Sequence, residues 1–118
     1  MKIINSAKNA VLAENAIIAD TFLTRAKGLL GRKDFKQGEA LVIRPCNSIH
    51  TFFMRFPIDV LFVDKENKII RATPSLRPYR LSRVCFNSVF AVELPAGTLE
   101  LTSTQEGDTL LIGTATIF

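Results

Sequence analysis

The run Ile58-Asp59-Val60-Leu61-Phe62-Val63-Asp64 constrains this chain more than any other stretch. It is almost continuously apolar and rich in β-branched and aromatic residues, which reads as a strand buried on both faces. Polar turn material, Lys65-Glu66-Asn67, follows it, and Lys68-Ile69-Ile70-Arg71-Ala72-Thr73 resumes a strand pattern. The two segments predict a β-hairpin whose register the turn sets.

Further strand signals are spaced along the sequence. Glu39-Ala40-Leu41-Val42-Ile43-Arg44 stops at Pro45, Ser88-Val89-Phe90-Ala91-Val92-Glu93-Leu94 stops at Pro95-Ala96-Gly97, and Thr109-Leu110-Leu111-Ile112 follows the turn Glu106-Gly107-Asp108. Asn9 to Ala16 fits either a weak helix or two short strands. One segment differs. Asp20-Thr21 can cap a helix, and Phe22, Leu23, Ala26, Leu29 and Leu30 then form one apolar stripe, with Gly31 able to end it. Gly28 inside that helix costs about 1 kcal/mol relative to alanine, which suggests close backbone packing there.

At 118 residues the chain has the length of a single domain, residues 1–118. Hydrophobic residues at 47% and charged residues at 22% are ordinary globular usage and exclude a disordered or fibrous chain. No apolar run approaches the roughly 18 residues of a membrane-spanning helix. The expected fold is mainly β: a compact single-domain β-sandwich or barrel-like fold with one short helix near residues 21–31.

The formal charge of +4 mildly favours an anionic partner and equally serves solubility. The opening residues lack the apolar stretch of a secretory signal, so the expectation is a cytoplasmic protein with Cys46 and Cys85 reduced. No P-loop, G-x-G-x-x-G or G-x-S-x-G motif is present, which argues against nucleotide or hydrolase chemistry of those kinds.

The densest chemistry lies between Pro45 and Val60, where Cys46, His50 and Met54 fall four apart. Cysteine, histidine and methionine together suit copper, but such sites need a second histidine, and His50 is the only one. Zinc could take Cys46, His50 and Cys85, yet the paired-cysteine spacing of strong zinc motifs is missing. These three are weak metal candidates beside the plainer reading of Cys46 and Met54 as core fillers. No metal or other cofactor is expected.

Two carboxylates sit in apolar runs. By alternation Asp59 shares a face with Leu61 and Val63, and Glu93 with Val89 and Ala91. If buried, each needs a partner or a raised pKa. Arg25 is the favoured side-chain partner of Asp59, with backbone amides beside the His50 loop as the alternative, and Arg55 is a further candidate. Arg77-Pro78-Tyr79-Arg80-Leu81-Ser82-Arg83 adds a basic loop suited to phosphate or carboxylate. A solvated basic loop is the plainer explanation, and nucleic acid is not the expected partner.

Together, R-A-K-G-L-L-G-R at residues 25–32, E-A-L-V-I-R-P-C at 39–46, I-H-T-F-F-M-R-F-P-I-D-V-L-F-V-D at 49–64 and V-E-L-P-A-G at 92–97 resemble the bacterial and archaeal family called domain of unknown function 192. The resemblance spans about residues 20–112. It implies a small β-rich single domain, and no mechanism. Arg25, Gly28, Leu29, His50, Met54, Asp59, Phe62, Glu93 and Gly97 match its recurrent words, with Leu30 where methionine often stands.

The expected function is a binding module for a small anionic or polar ligand, in a cleft near the His50 loop. Its candidate residues are His50, Met54, Arg55 and Asp59, with Arg25, Glu93, Arg77 and Arg80. The alternatives are a Cys/His-based metal protein or enzyme, and an accessory protein that binds a partner chain.

Overall fold

The computed structural model describes residues 1–113. Its strands are β1 (Lys2–Asn5), β2 (Ala10–Ala19), β3 (Gly38–Ile43), β4 (Ile58–Val63), β5 (Ile69–Leu76), β6 (Phe90–Pro95) and β7 (Leu110–Gly113). They form one sheet in the order β5-β4-β6-β3-β2-β1-β7. Neighbours are antiparallel except β2 and β3, which run parallel. The sheet curls into a half-barrel, and its edges meet at one end through a bridge between Lys68 and Thr109. There the Ile69 amide donates to the Asp108 carbonyl and the Leu110 amide to the Asn67 carbonyl, each at 2.8 Å. The fold is mainly β, as the sequence predicts.

The β4–β5 hairpin forms as its pattern requires, and its turn is held by one side chain. Asp64 Oδ1 accepts the amides of Glu66 and Lys68, while Asn67 takes a left-handed φ of 62°. Every residue of β4 is buried, and so is every residue of β6 beside it. Leu61 and Val63 enter the apolar cluster inside the curl, with Ile3, Leu12, Val92 and Leu110. Ile58, Val60 and Phe62 enter a second cluster on the outer face, with Leu29, Ile49, Met54 and Cys85. The doubly buried strand thus has a core on each side, one enclosed by the sheet and one covered by loops.

The ambiguous beginning resolves into strands. β1 and the ten-residue β2 are joined by a turn in which Asn5 Oδ1 accepts the amides of Ala7 and Lys8. Asn5 Nδ2 donates to Asp108, which also accepts from Lys8, so one buried polar knot ties β1 to the turn before β7.

Helix α1 (Phe22–Lys27) is shorter than its apolar stripe predicts. Thr21 caps it in a reciprocal box with Thr24. Gly28 is its C-cap, at φ 49° and ψ −127°, a backbone conformation that a residue with a Cβ rarely adopts. Gly28 therefore ends the helix rather than packing inside it. The stripe is cut in two: Phe22 and Leu23 remain about three-quarters exposed, and only Leu29, in the turn beyond, is buried. A second helix, α2 (Thr98–Thr102), follows β6 and has no periodic signal in the sequence. Among the described residues no helix is long and apolar enough to cross a membrane.

Candidate functional site

Asp59 and Glu93 occupy adjacent strands, one register step apart, because Val60 pairs with Glu93 and Asp59 with Leu94. That single step places them on opposite faces of the sheet. Asp59 points with Leu61 and Val63 and is fully buried. Its Oδ2 accepts the amides of Leu99 at 2.9 Å and Gly97 at 3.2 Å, and its Oδ1 accepts the Ser75 amide at 2.8 Å. The carboxyl thus caps α2 from a neighbouring strand and pins the end of β5. The expected pairing with Arg25 does not form, because Arg25 lies over the outer face, where its Nη1 meets the Pro45 carbonyl at 3.5 Å. Backbone amides do compensate Asp59, but they belong to β5 and α2 rather than to the His50 loop.

Glu93 faces the other way, sharing its side of β6 with Ala91. It is 3% exposed, and burial alone pushes its carboxyl up to about 8. Among the described residues no hydrogen bond or ion pair offsets that cost. Among the described residues no fully enclosed polar side-chain atom lacks a partner, so the carboxyl is not sealed in. It opens on a cleft of about 340 Å³.

Two loops make the cleft. One wall is α1 with the Gly28 turn, contributing Arg25, Lys27 and Leu29. The other is the segment after the cis Arg44–Pro45 bond, contributing Cys46, Ser48 and His50. Ile43, Met54 and Glu93 form the floor. Burial raises the Cys46 thiol pKa, the nearby Glu93 adds to that, and the Ser48 backbone and the Arg25 charge oppose it. Its Sγ donates to the Ser48 carbonyl at 3.1 Å. A thiol held neutral is a weak nucleophile. His50 is exposed and stacked on Phe52, and its Nδ1 accepts the Phe52 amide at 3.3 Å. In the neutral imidazole that leaves Nε2–H as the free donor.

Of the residues singled out from the sequence, the cleft gathers Arg25, Cys46, His50, Met54 and Glu93. Arg55, Arg77 and Arg80 are exposed and lie outside it. Cys85 is buried on the neighbouring loop, its amide donating to the Asn47 carbonyl at 2.7 Å, and no disulfide joins it to Cys46. Among the described residues no three His, Cys, Asp or Glu side chains converge to hold a metal ion. Sequence reasoning did not place Lys27, Gly28 or Ser48 at the site. Gly28 was the available signal, since a glycine ending a helix marks a chain reversal able to form a wall.

Fold and cleft together define a mainly β half-barrel domain with a loop-walled pocket over one buried acid. The chain belongs to the family domain of unknown function 192, described as Uncharacterized ACR, whose model matches residues 3–112. It is 34% identical over 112 residues to a UPF0127 protein of Pyrococcus abyssi, covering 90% of this chain and 92% of that one. A UPF0127 protein of Pyrococcus horikoshii is 32% identical over 111 residues, covering 90% and 94%. The fold is shared with a protein of unknown function from Novosphingobium aromaticivorans, at TM-score 0.81 and 17% identity over 94% of this chain and 82% of that one. It is also shared with a Sinorhizobium meliloti protein described as a putative transcription regulator, at TM-score 0.77 and 18% identity, covering 93% and 89%. At these identities the two structures speak to the fold alone.

Proposed function

We propose that the protein is a binding module for a small polar or anionic ligand, seated in the cleft between α1 and the 45–50 loop. The observation that carries this reading is Glu93, a buried carboxyl that has no partner among the described residues and opens on the cleft. A buried polar group without a hydrogen bond costs several kcal/mol in apolar surroundings, and here only the cleft can supply one. With its pKa near 8 the carboxyl is mostly protonated at neutral pH, so it offers both an O–H donor and a carbonyl acceptor. Arg25 and Lys27 on the wall supply positive charge, and the His50 ring supplies a further polar edge. A ligand with a hydrogen-bonding head toward Glu93 and an anionic group toward Arg25 fits this arrangement. A volume of about 340 Å³ suits a metabolite-sized molecule. The two free thiols favour a reducing compartment such as the cytoplasm as its setting.

The test is native mass spectrometry for a retained molecule, followed by NMR titration with small carboxylates and their amides. Shifts concentrated at residues 25–30, 46–50 and 93, weakened about tenfold or more by Arg25→Ala, are the expected result. Binding elsewhere, or binding indifferent to both Arg25→Ala and Glu93→Gln, overturns the reading.

A further inference from the structure

Residues 44–58 and 70–92 contain six of the eight arginines and not one Asp, Glu or Lys. The remainder of the chain holds nine Lys and Arg against all eleven Asp and Glu, so the net positive charge of the molecule resides in these two segments. The fold zips them together. The Thr51 amide donates to the Arg80 carbonyl, the Tyr79 amide to the Thr51 carbonyl, and the Ser82 amide to the Ile49 carbonyl, each at 2.9 Å. His50 and Leu81 bridge between them, and the Cys85 amide closes the far end on Asn47. Ile49, Met54 and Cys85 anchor this ribbon in the outer core. Four further large side chains of the ribbon stay in water: Phe86 is 88% exposed, Phe53 73% and Leu81 70%, with Tyr79 also exposed. Arg55, Arg77, Arg80 and Arg83 are exposed among them, and among the described residues none is in an ion pair.

We infer that this ribbon docks an acidic segment of a partner protein, one that alternates carboxylates with apolar side chains. Tyr, Phe and Arg without Lys, Asp or Glu is the composition that distinguishes the core of a protein interface from ordinary surface. Unpaired guanidinium groups with no local carboxylate select a partner that supplies them, and arginine does so in a directional, two-pronged way. A single-stranded nucleic acid fits less well. Phe52 already stacks on His50 and Phe53 already meets Tyr79 edge-on at 5.6 Å, so each of these rings has part of its surface engaged within the protein. Beyond the ribbon the surface is close to neutral, with nine Lys and Arg against the eight acids that remain once the buried Asp59, Glu93 and Asp108 are set aside, so it offers a polyanion no continuing attraction. A lipid surface fits less well because the charges interleave with the apolar side chains, as in Tyr79-Arg80-Leu81-Ser82-Arg83-Val84. This inference is independent of the ligand in the cleft.

The experiment titrates the full chain by fluorescence anisotropy with a labelled peptide alternating glutamate with leucine and phenylalanine. Its glutamine counterpart, oligothymidylate and phosphatidylserine–phosphatidylcholine vesicles are run alongside. The expected result is saturable, salt-sensitive binding of the acidic peptide, at least about tenfold tighter than the glutamine peptide. The double variant R80A/R83A and, separately, Phe86→Ser each weaken it about tenfold, with thermal unfolding unchanged because these side chains are exposed. Equal binding of the glutamine peptide, no saturable peptide binding, or tighter binding of oligothymidylate or vesicles overturns the proposal. So does peptide binding that survives both variants.

Discussion

Two carboxylates one register step apart, Asp59 and Glu93, divide the molecule into a region that is finished and a region that is open. Both lie in fully buried strands, and by composition they look alike. On the inner face Asp59 is saturated by three backbone amides and ties β4 to β5 and α2. On the outer face Glu93 has no such partner among the described residues, and two loops stand back from it to leave a cleft. A buried acid is therefore evidence for scaffold or for site only once its hydrogen bonds have been counted. The inner acid is complete within the protein; the outer one opens on the cleft.

Breaking the finished side produces the largest effect. Asp59→Ala leaves three buried or half-buried amides without an acceptor, each worth about 1–3 kcal/mol, and is expected to cost about 3–5 kcal/mol in urea denaturation. A loss under about 1 kcal/mol shows that water replaces the carboxyl and that α2 does not depend on it.

The open side responds to pH instead. Because the folded pKa of Glu93 lies above its ordinary value of 4.5, the folded state keeps a proton that the unfolded chain has lost. Its contribution is full below about pH 4.5 and is lost as pH rises through about 8. Between pH 5 and 8 the wild type is expected to lose about 3 kcal/mol that Glu93→Gln does not lose, since each tenfold gain in proton affinity on folding is worth about 1.4 kcal/mol. Parallel stability–pH curves for the two proteins contradict this.

Asp108 sharpens the contrast as a third carboxylate, satisfied by side chains as well as by a backbone amide. Burial opposes its charge, but hydrogen bonds from Asn5, Lys8 and the Gln105 amide, with the Lys8 charge, bring its pKa below the ordinary value. Lys8→Ala, which removes the 3.0 Å ion pair, is expected to cost about 1 kcal/mol at neutral pH. The loss shrinks as pH falls through the lowered Asp108 pKa, and denaturation at neutral and acid pH reads it. Smallest of all is Arg25→Ala. It removes one long, weak contact to the Pro45 carbonyl and is expected to change stability by less than about 0.5 kcal/mol while weakening ligand binding in the cleft.

The two faces are unequally legible in the sequence. Strands β3 to β7 announce themselves because burial on a sheet imposes a local pattern of apolar and β-branched residues, and the Asp64–Asn67 turn uses residues suited to it. Helix α2 gives no local sign: five residues carry too little periodicity, and its amides find their acceptor on Asp59, some forty residues earlier. The apolar stripe overstates the length of α1 because it does not reveal where a left-handed glycine stops the helix, and Gly28 stops it before Leu29. Glu93 and Arg25 stand out as site candidates by residue type alone. That Arg25 faces the cleft rather than Asp59 follows from which side of the sheet the connection between β2 and β3 crosses, which no local pattern encodes.

The claim that Glu93 belongs to a site and Asp59 to the scaffold is tested most directly by carboxyl-carbon NMR of protein labelled at glutamate, with Glu93→Gln used to assign the resonance. The account predicts one glutamate carboxyl whose resonance moves with a midpoint near pH 8, and which responds when a ligand enters the cleft. A Glu93 midpoint in the ordinary carboxylate range of about 4–5 means that water or a cation already satisfies it, and contradicts the account.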